Sequence, residues 1–217
     1  MRTLGQSDLG QLLSRCPRCA LRAGAIVDAD DFAAASLLIV KKGIVVITAG
    51  AGTKRRIVLS FCSSGTLLPP PRDDEQLVAL ADSAVIAVPA EVERALLQVP
   101  AAAKLIVDEL IEELHERQQS LAQFGNVIHA ERLRAKLLQL ARAHGTLVAD
   151  GVEVELPLTH ELLGQAIGSA RETVSTALKT LERDGFLARE GRRYRLTIST
   201  DTLASDADST RSSTQDR

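Results

Sequence analysis

The chain contains no tryptophan, one tyrosine and four phenylalanines among its 217 residues. An aromatic content of 2% argues against a stacking platform for single-stranded nucleic acid, which needs exposed aromatic faces. Cysteine is scarce too, at three residues, and an odd count does not suggest a secreted domain held by disulfides. No apolar run approaches the roughly 20 residues of a membrane helix; residues 36–40 and 44–48 are separated by Lys41, Lys42 and Gly43. The N-terminal residues lack the basic, apolar, small-residue order of a secretion signal, so a cytoplasmic location without a membrane partner is expected. An excess of either charge is also missing. With 26 Lys and Arg against 28 Asp and Glu, the net charge of −2 gives no global attraction to nucleic acid, so a DNA-binding surface would have to be local. There is no nucleophile elbow, phosphate loop or His-Glu-x-x-His, and no acid pair stands out, so neither an enzyme nor a bound cofactor is expected.

What is present falls into successive blocks. From about residue 21 to 89, short β-branched runs (37–40, 44–48, 57–61, 77–80 and 84–88) are broken by glycine and charged pairs, the pattern of a small antiparallel β domain. Gly43 and the Ala49-Gly50-Ala51-Gly52 stretch are expected to form hairpin turns. A short helix over 91–99 ends at Pro100. Residues 101–128 then form a helix of about seven turns, with Val107, Leu110, Ile111, Leu114, Leu121, Phe124 and Ile128 at three- and four-residue spacing. That stripe suits either the core of the β domain or a coiled-coil dimer, and the length of the helix favours the dimer. A further amphipathic helix over 130–144 is expected to stop at Gly145. The expected domains are therefore 1–99, 100–128, 129–199 and a disordered tail over 200–217, rich in Ser, Thr and Asp.

The most informative segment begins at Leu158. Thr159 is a natural N-cap, Leu162, Leu163, Ala166 and Ile167 form an inward stripe, and Gly168 closes the helix. The next helix carries Val174, Ala177, Leu178 and Leu181 on one face and Arg171, Glu172, Ser175, Thr176 and Lys179 on the other. Two helices around a glycine turn with this division form a helix-turn-helix. Ser169 and Glu172 also fit a capping box, which would give Glu172 a purely local task. After Asp184-Gly185, an alternating pattern around 189–193 makes a β-hairpin wing. Its basic tip, Arg189, Arg192 and Arg193, suits phosphate contacts. Residues 171–195 hold seven basic and four acidic side chains, a local excess that the whole chain lacks.

Residues 158–182, especially Gly164-Gln165, Gly168 and Arg171-Glu172-Thr173-Val174, resemble the helix-turn-helix of the Crp/Fnr superfamily of bacterial transcription regulators. The order of parts over about 12–198 agrees with it. The resemblance implies an α+β architecture: an N-terminal antiparallel β-roll of cupin-like jelly-roll type, a long dimerisation helix and a C-terminal winged helix-turn-helix. It also implies a homodimer on a pseudo-palindromic operator in double-stranded DNA, with RNA polymerase as a further partner. Arg171 would then donate to guanine and Glu172 accept from cytosine, within a DNA-contacting set of Thr159, Ser169, Arg171, Glu172, Thr173, Ser175, Thr176, Lys179, Arg192 and Arg193. Ala170 and Thr176 depart from the family pattern, which leaves open a dimeric interaction module that has lost specific DNA binding.

In cyclic-nucleotide-binding members, a Gly-rich cassette supplies a Glu and an Arg-Ser pair. Residues 64–75 are shorter, carry Pro69, Pro70 and Pro71, which donate no backbone N–H, and place Asp73 and Asp74 where a phosphate would sit. Cyclic AMP is thus not expected to act in the family manner, and any other effector is unknown. Cys16 and Cys19 have Cys-x-x-Cys spacing, which admits redox control, but Cys62 is the only other cysteine and no metal site is expected.

Overall fold

The computed structural model describes residues 6–53, 56–123, 128–190 and 193–198. It separates into two compact units, Met1–Ala122 and Gln123–Arg217.

The first unit begins with helix α1 (Gln6–Ser14) and contains eight described strands: β1 (Arg18–Leu21), β2 (Ile26–Val27), β3 (Ala35–Lys42), β4 (Ile44–Ala49), β5 (Ile57–Ser63), β6 (Leu67–Leu68), β7 (Glu75–Ala79) and β8 (Ser83–Pro89). They form two antiparallel four-stranded sheets, ordered β1-β8-β3-β6 and β2-β7-β4-β5. Five of these strands are those expected from the β-branched runs. The turn over 49–52 does lead between paired strands, β4 and β5. Gly43 departs from expectation: it joins β3 to β4, which lie in different sheets, so it is a crossing between layers and not a hairpin turn.

Alternation along the strands explains the core. Leu38 and Val40 of β3, Val85 of β8, Val45 and Ile47 of β4, Cys62 of β5 and Leu77 of β7 are fully or almost fully buried in one cluster drawn from both sheets. Each such side chain contributes about 1.5–3 kcal/mol relative to exposure. On the other side of the first sheet, Leu37, Ile86 and Val88 meet Leu96 of α2 (Ala90–Leu97) and Ile106 of α3 (Pro100–Gln123). Pro100 opens α3 instead of merely ending the helix before it, because a first-turn residue needs no intrahelical N–H partner.

The second unit contains α4 (His129–His144), β9 (Gly145–Val148), β10 (Gly151–Val154), α5 (His160–Ile167), α6 (Arg171–Arg183), β11 (Leu187–Glu190) and β12 (Arg193–Leu196). Its sheet runs β11-β12-β10-β9. Leu133 and Leu137 of α4, Leu163 and Ile167 of α5, and Val174, Leu178 and Leu181 of α6 are buried. Helix α4 ends at Gly145 as expected, with the Gly145 amide donating to the Ala141 carbonyl, but the left-handed conformation of a glycine cap is not adopted. Gly145 has φ −83° and ψ 152°, an extended conformation that leads directly into β9. No helix among the described residues is long and apolar enough to cross a membrane.

Candidate nucleic-acid interface

The two helices of the motif are set by local chemistry. Thr159 is the N-cap of α5, and its hydroxyl oxygen accepts from the Leu162 amide at 3.0 Å. At the other end Gly168 has φ 63° and ψ 40°, the left-handed conformation that costs a Cβ-bearing residue energy. Gly164 lies beneath the turn, where a Cβ would come within 2.6 Å of the Ser169 carbonyl oxygen. This is why small residues stand at both places in the motif.

On α6 the buried residues Val174, Ala177, Leu178 and Leu181 alternate with an outward face. Arg171, Glu172, Thr176 and Lys179 are exposed, while Thr173 and Ser175 are half-buried. The helix begins with its positive end towards Arg171, so that cation is opposed by the helix dipole. Among the described residues, no hydrogen bond or ion pair engages the Arg171, Glu172 or Lys179 side chains; the Ser175 hydroxyl instead donates to the Arg171 carbonyl at 3.0 Å, and that of Thr176 to the Glu172 carbonyl at 3.1 Å.

Three other expectations are revised. The Ser169–Glu172 capping box is not formed: Ala170 is the N-cap of α6 and no side chain caps it. Ser169 turns instead towards α4, where its hydroxyl meets His129 Nδ1 at 2.7 Å and the Arg132 guanidinium at 3.3 Å. Arg189 belongs to strand β11, opposite Tyr194, and not to the tip of the wing. Its Nη1 lies 2.7 Å from His160 Nε2, and its Nε lies 3.8 Å from Glu182. Arg193 reaches Glu153 at 3.3 Å and Glu155 at 3.1 Å, acids that compete with a phosphate for it. Arg192 lies outside the described residues.

Read from the sequence, His160 shows no ligand spacing and is expected to be a solvated helix residue. It is instead half-buried and held below the usual imidazole range by burial first, then by Arg189 and Arg171, with Glu182 acting in the opposite direction. Its signal in the sequence was only its place next to the N-cap. Tyr194 is buried and donates to the Leu158 carbonyl at 3.2 Å. Burial pushes its hydroxyl pKa up.

The expected dimer stripe divides. Val107 (50% exposed), Leu110 (37%), Ile111 (45%) and Leu114 (53%) lie along α3 and are uncovered in the single chain. The side chain of Leu121, and Phe124 altogether, lie outside the described residues. Ile128 is not on α3: it is the extended N-cap residue of α4. The opposite side of α3 faces the roll. There Glu113 accepts from Ser60 Oγ at 2.7 Å and from Arg117 Nε at 2.9 Å, and Arg117 also reaches Glu75 at 3.4 Å.

Cys16 and Cys19 pack into different apolar clusters, Cys16 beside Leu37 and Ile86, Cys19 beside the core between the sheets. Burial raises the pKa of both thiols, Glu91 adding to the effect at Cys16 and Asp31 at Cys19. Among the described residues no group of three or more His, Cys, Asp or Glu side chains could hold a metal ion.

A family profile described as the Crp-like helix-turn-helix domain matches residues 131–214. The Global nitrogen regulator of Synechococcus elongatus is 29% identical over 112 residues, which is 51% of this chain and 50% of that protein. The transcriptional regulatory protein btr of Bordetella pertussis is 31% identical over 121 residues, 55% of this chain and 50% of its own length. The chain thus spans about half the length of the curated relatives it matches. Among solved structures, a CooA mutant from Carboxydothermus hydrogenoformans aligns with a TM-score of 0.71 at 21% identity, covering 91% of this chain and 90% of that one. FixK2 from Bradyrhizobium japonicum aligns with a TM-score of 0.71 at 23% identity, covering 88% and 96%. These likenesses extend the shared fold across both units.

Proposed function

We propose that this chain is a member of the Crp/Fnr superfamily and a homodimeric transcription regulator that reads a pseudo-palindromic operator through the major groove. The observation that carries the reading is the outward face of α6, where Arg171, Glu172 and Lys179 stand exposed above a buried apolar backing. Arg171 reads a guanine edge by bidentate donation, and Glu172 accepts from a cytosine amino group. The absence of a capping box supports this assignment for Glu172, because Ser169 is engaged by α4. Ser169, Thr173, Ser175, Thr176 and Thr159 shape the surface around these two residues, while Lys179 and Arg192 serve the phosphates, and Arg193 joins them where a phosphate displaces Glu153 and Glu155.

The second subunit is a copy of the same chain. Val107, Leu110, Ile111 and Leu114 form a strip at helical spacing that a partner helix can cover. Two recognition helices related by that axis enter successive major grooves about 34 Å apart. DNA binding then recruits or blocks RNA polymerase.

The roll supports control without cyclic AMP. Glu75 accepts from the Arg72 amide at 3.2 Å and from Arg117, so the carboxylate at the end of the degenerate cassette is already engaged. Pro69, Pro70 and Pro71 offer no N–H, and Asp73 and Asp74 repel a phosphate. Thiol control is the less supported alternative, because the raised pKa values of Cys16 and Cys19 reduce their thiolate content.

Binding to selected and random DNA across a salt series tests the reading. A reader of this kind loses affinity steeply with salt, by about 0.9 logarithmic units per phosphate neutralised. Arg171→Ala should cost roughly 1–3 kcal/mol on the selected site alone. An unchanged ratio of selected to random affinity would remove Arg171 from the reading and favour the interaction-module alternative.

A further inference from the structure

His160 stands where three elements meet: the start of α5, the first turns of α6 and strand β11 of the wing. Its Nε2 lies 2.7 Å from Arg189 Nη1, and its Nδ1 lies 2.8 Å from Ser175 Oγ. These contacts fix its chemistry. A guanidinium nitrogen can only donate, so Nε2 must accept, which leaves the ring proton on Nδ1. Nδ1–H then donates to Ser175, whose own hydroxyl hydrogen goes to the Arg171 carbonyl at 3.0 Å. The result is a directed chain of hydrogen bonds from the wing, through a neutral imidazole, to the backbone of the residue expected to read DNA.

We infer that His160 is a positioning residue of the DNA reader: its neutral ring connects Arg189 of the wing to the first turn of α6, and protonation breaks that connection. The inference rests on the DNA-binding reading proposed above. A protonated ring has no acceptor for Arg189, and two donors then face each other. The surrounding charges reinforce this. Burial opposes the imidazolium most, Arg189 and Arg171 both oppose a third cation, and among the described residues Glu182 on α6 is the charge that favours it. Tyr194, paired across the wing from Arg189, is uncharged near neutrality at the ordinary tyrosine pKa of about 10, and burial pushes it higher still. The connection therefore holds at neutral pH and fails in acid, as pH falls below the ordinary imidazole value of about 6.5 and through the lower value of the folded state.

The test uses the full chain with two readouts. Nitrogen-15 NMR of the histidine rings, which needs no DNA, should show His160 as the Nδ1–H tautomer titrating below an ordinary histidine. Affinity for the selected site relative to random DNA should fall several-fold on acidification in the wild type. His160→Gln, whose amide offers one donor and one acceptor without titrating, should keep specific binding at neutral pH and flatten that pH profile; His160→Ala should lower specific binding at every pH. An Nε2–H tautomer, titration at or above the ordinary value, or a His160→Gln profile that matches the wild type would overturn the inference. If the wild type selects no DNA sequence at neutral pH, the DNA reading itself fails and the positioning role fails with it. A normal wild-type reader with a flat pH profile overturns the His160 role alone.

Discussion

In the N-terminal unit the polar groups that face inward, Ser60, Glu75, Glu113 and Arg117, answer one another across β5, β7 and α3. On α6 of the second unit, Arg171, Glu172 and Lys179 point outward with their side chains uncommitted to the described structure around them. The contrast separates two uses of charge. A network of buried donors and acceptors that engage one another gives uniqueness to a packing arrangement and leaves little for a visitor, because most of the desolvation is already compensated, although Arg117 Nη2 is buried without a partner. An open face keeps its groups solvated until a partner replaces the water. On the proposed reading α6 is the interactive surface, and the inner end of the roll is structural.

Breaking the buried network should have the largest effect. Arg117→Met leaves Glu113 and Glu75 without their shared cation, and the first unit should lose on the order of 3 kcal/mol in denaturant unfolding. Glu113→Gln, which retains an acceptor for Ser60, should cost less. Were the two equal, the guanidinium would not be what holds this end of the roll. A charge on the α3 strip comes next. Leu114→Glu should weaken self-association by about 1.5–3 kcal/mol per protomer, visible as a concentration-dependent monomer in sedimentation, with little change in the melting of either unit. A wild-type dimer insensitive to this substitution would place the interface elsewhere. Removing the α5 cap with Thr159→Ala should cost about 1 kcal/mol, confined to the second unit and followed by hydrogen exchange of the α5 amides. The smallest effect expected is none at all: cyclic AMP should leave both the melting temperature and DNA affinity unchanged. A shift with either readout would show that the network around Glu75 opens to admit it.

How much was legible beforehand depended on the range of the interactions involved. The helix-turn-helix could be read because its determinants are local: the Thr159 cap, the 3.6-residue stripe of Leu162, Leu163, Ala166 and Ile167, and the left-handed Gly168 all act within one or two turns. The longer strands were legible for the same reason, since β-branched alternation shows over five or more residues. Strands β1, β2, β6, β9 and β10, with two to four residues each, were not singled out, because pairing defines them more than their own pattern does. Side chains with distant partners were the hardest to place. Ser169 fits a capping box by spacing, yet it is drawn to His129 and Arg132, about 40 residues away in the chain. Arg189 and Arg193 looked like free cations of a wing tip, whereas one engages His160 and Glu182 and the other Glu153 and Glu155. Nothing in the spacing of the sequence marks those acids or that histidine as partners.

The central proposal is that the outward face of α6 reads DNA sequence. Selection of bound DNA from a random pool by the purified, reduced full chain, followed by sequencing, tests it most directly. The account predicts an inverted repeat with half-sites about one helical turn apart, whose enrichment collapses when the selection is repeated with Arg171→Ala. Recovery of no motif by the wild-type protein, or of the same motif by Arg171→Ala, would contradict it.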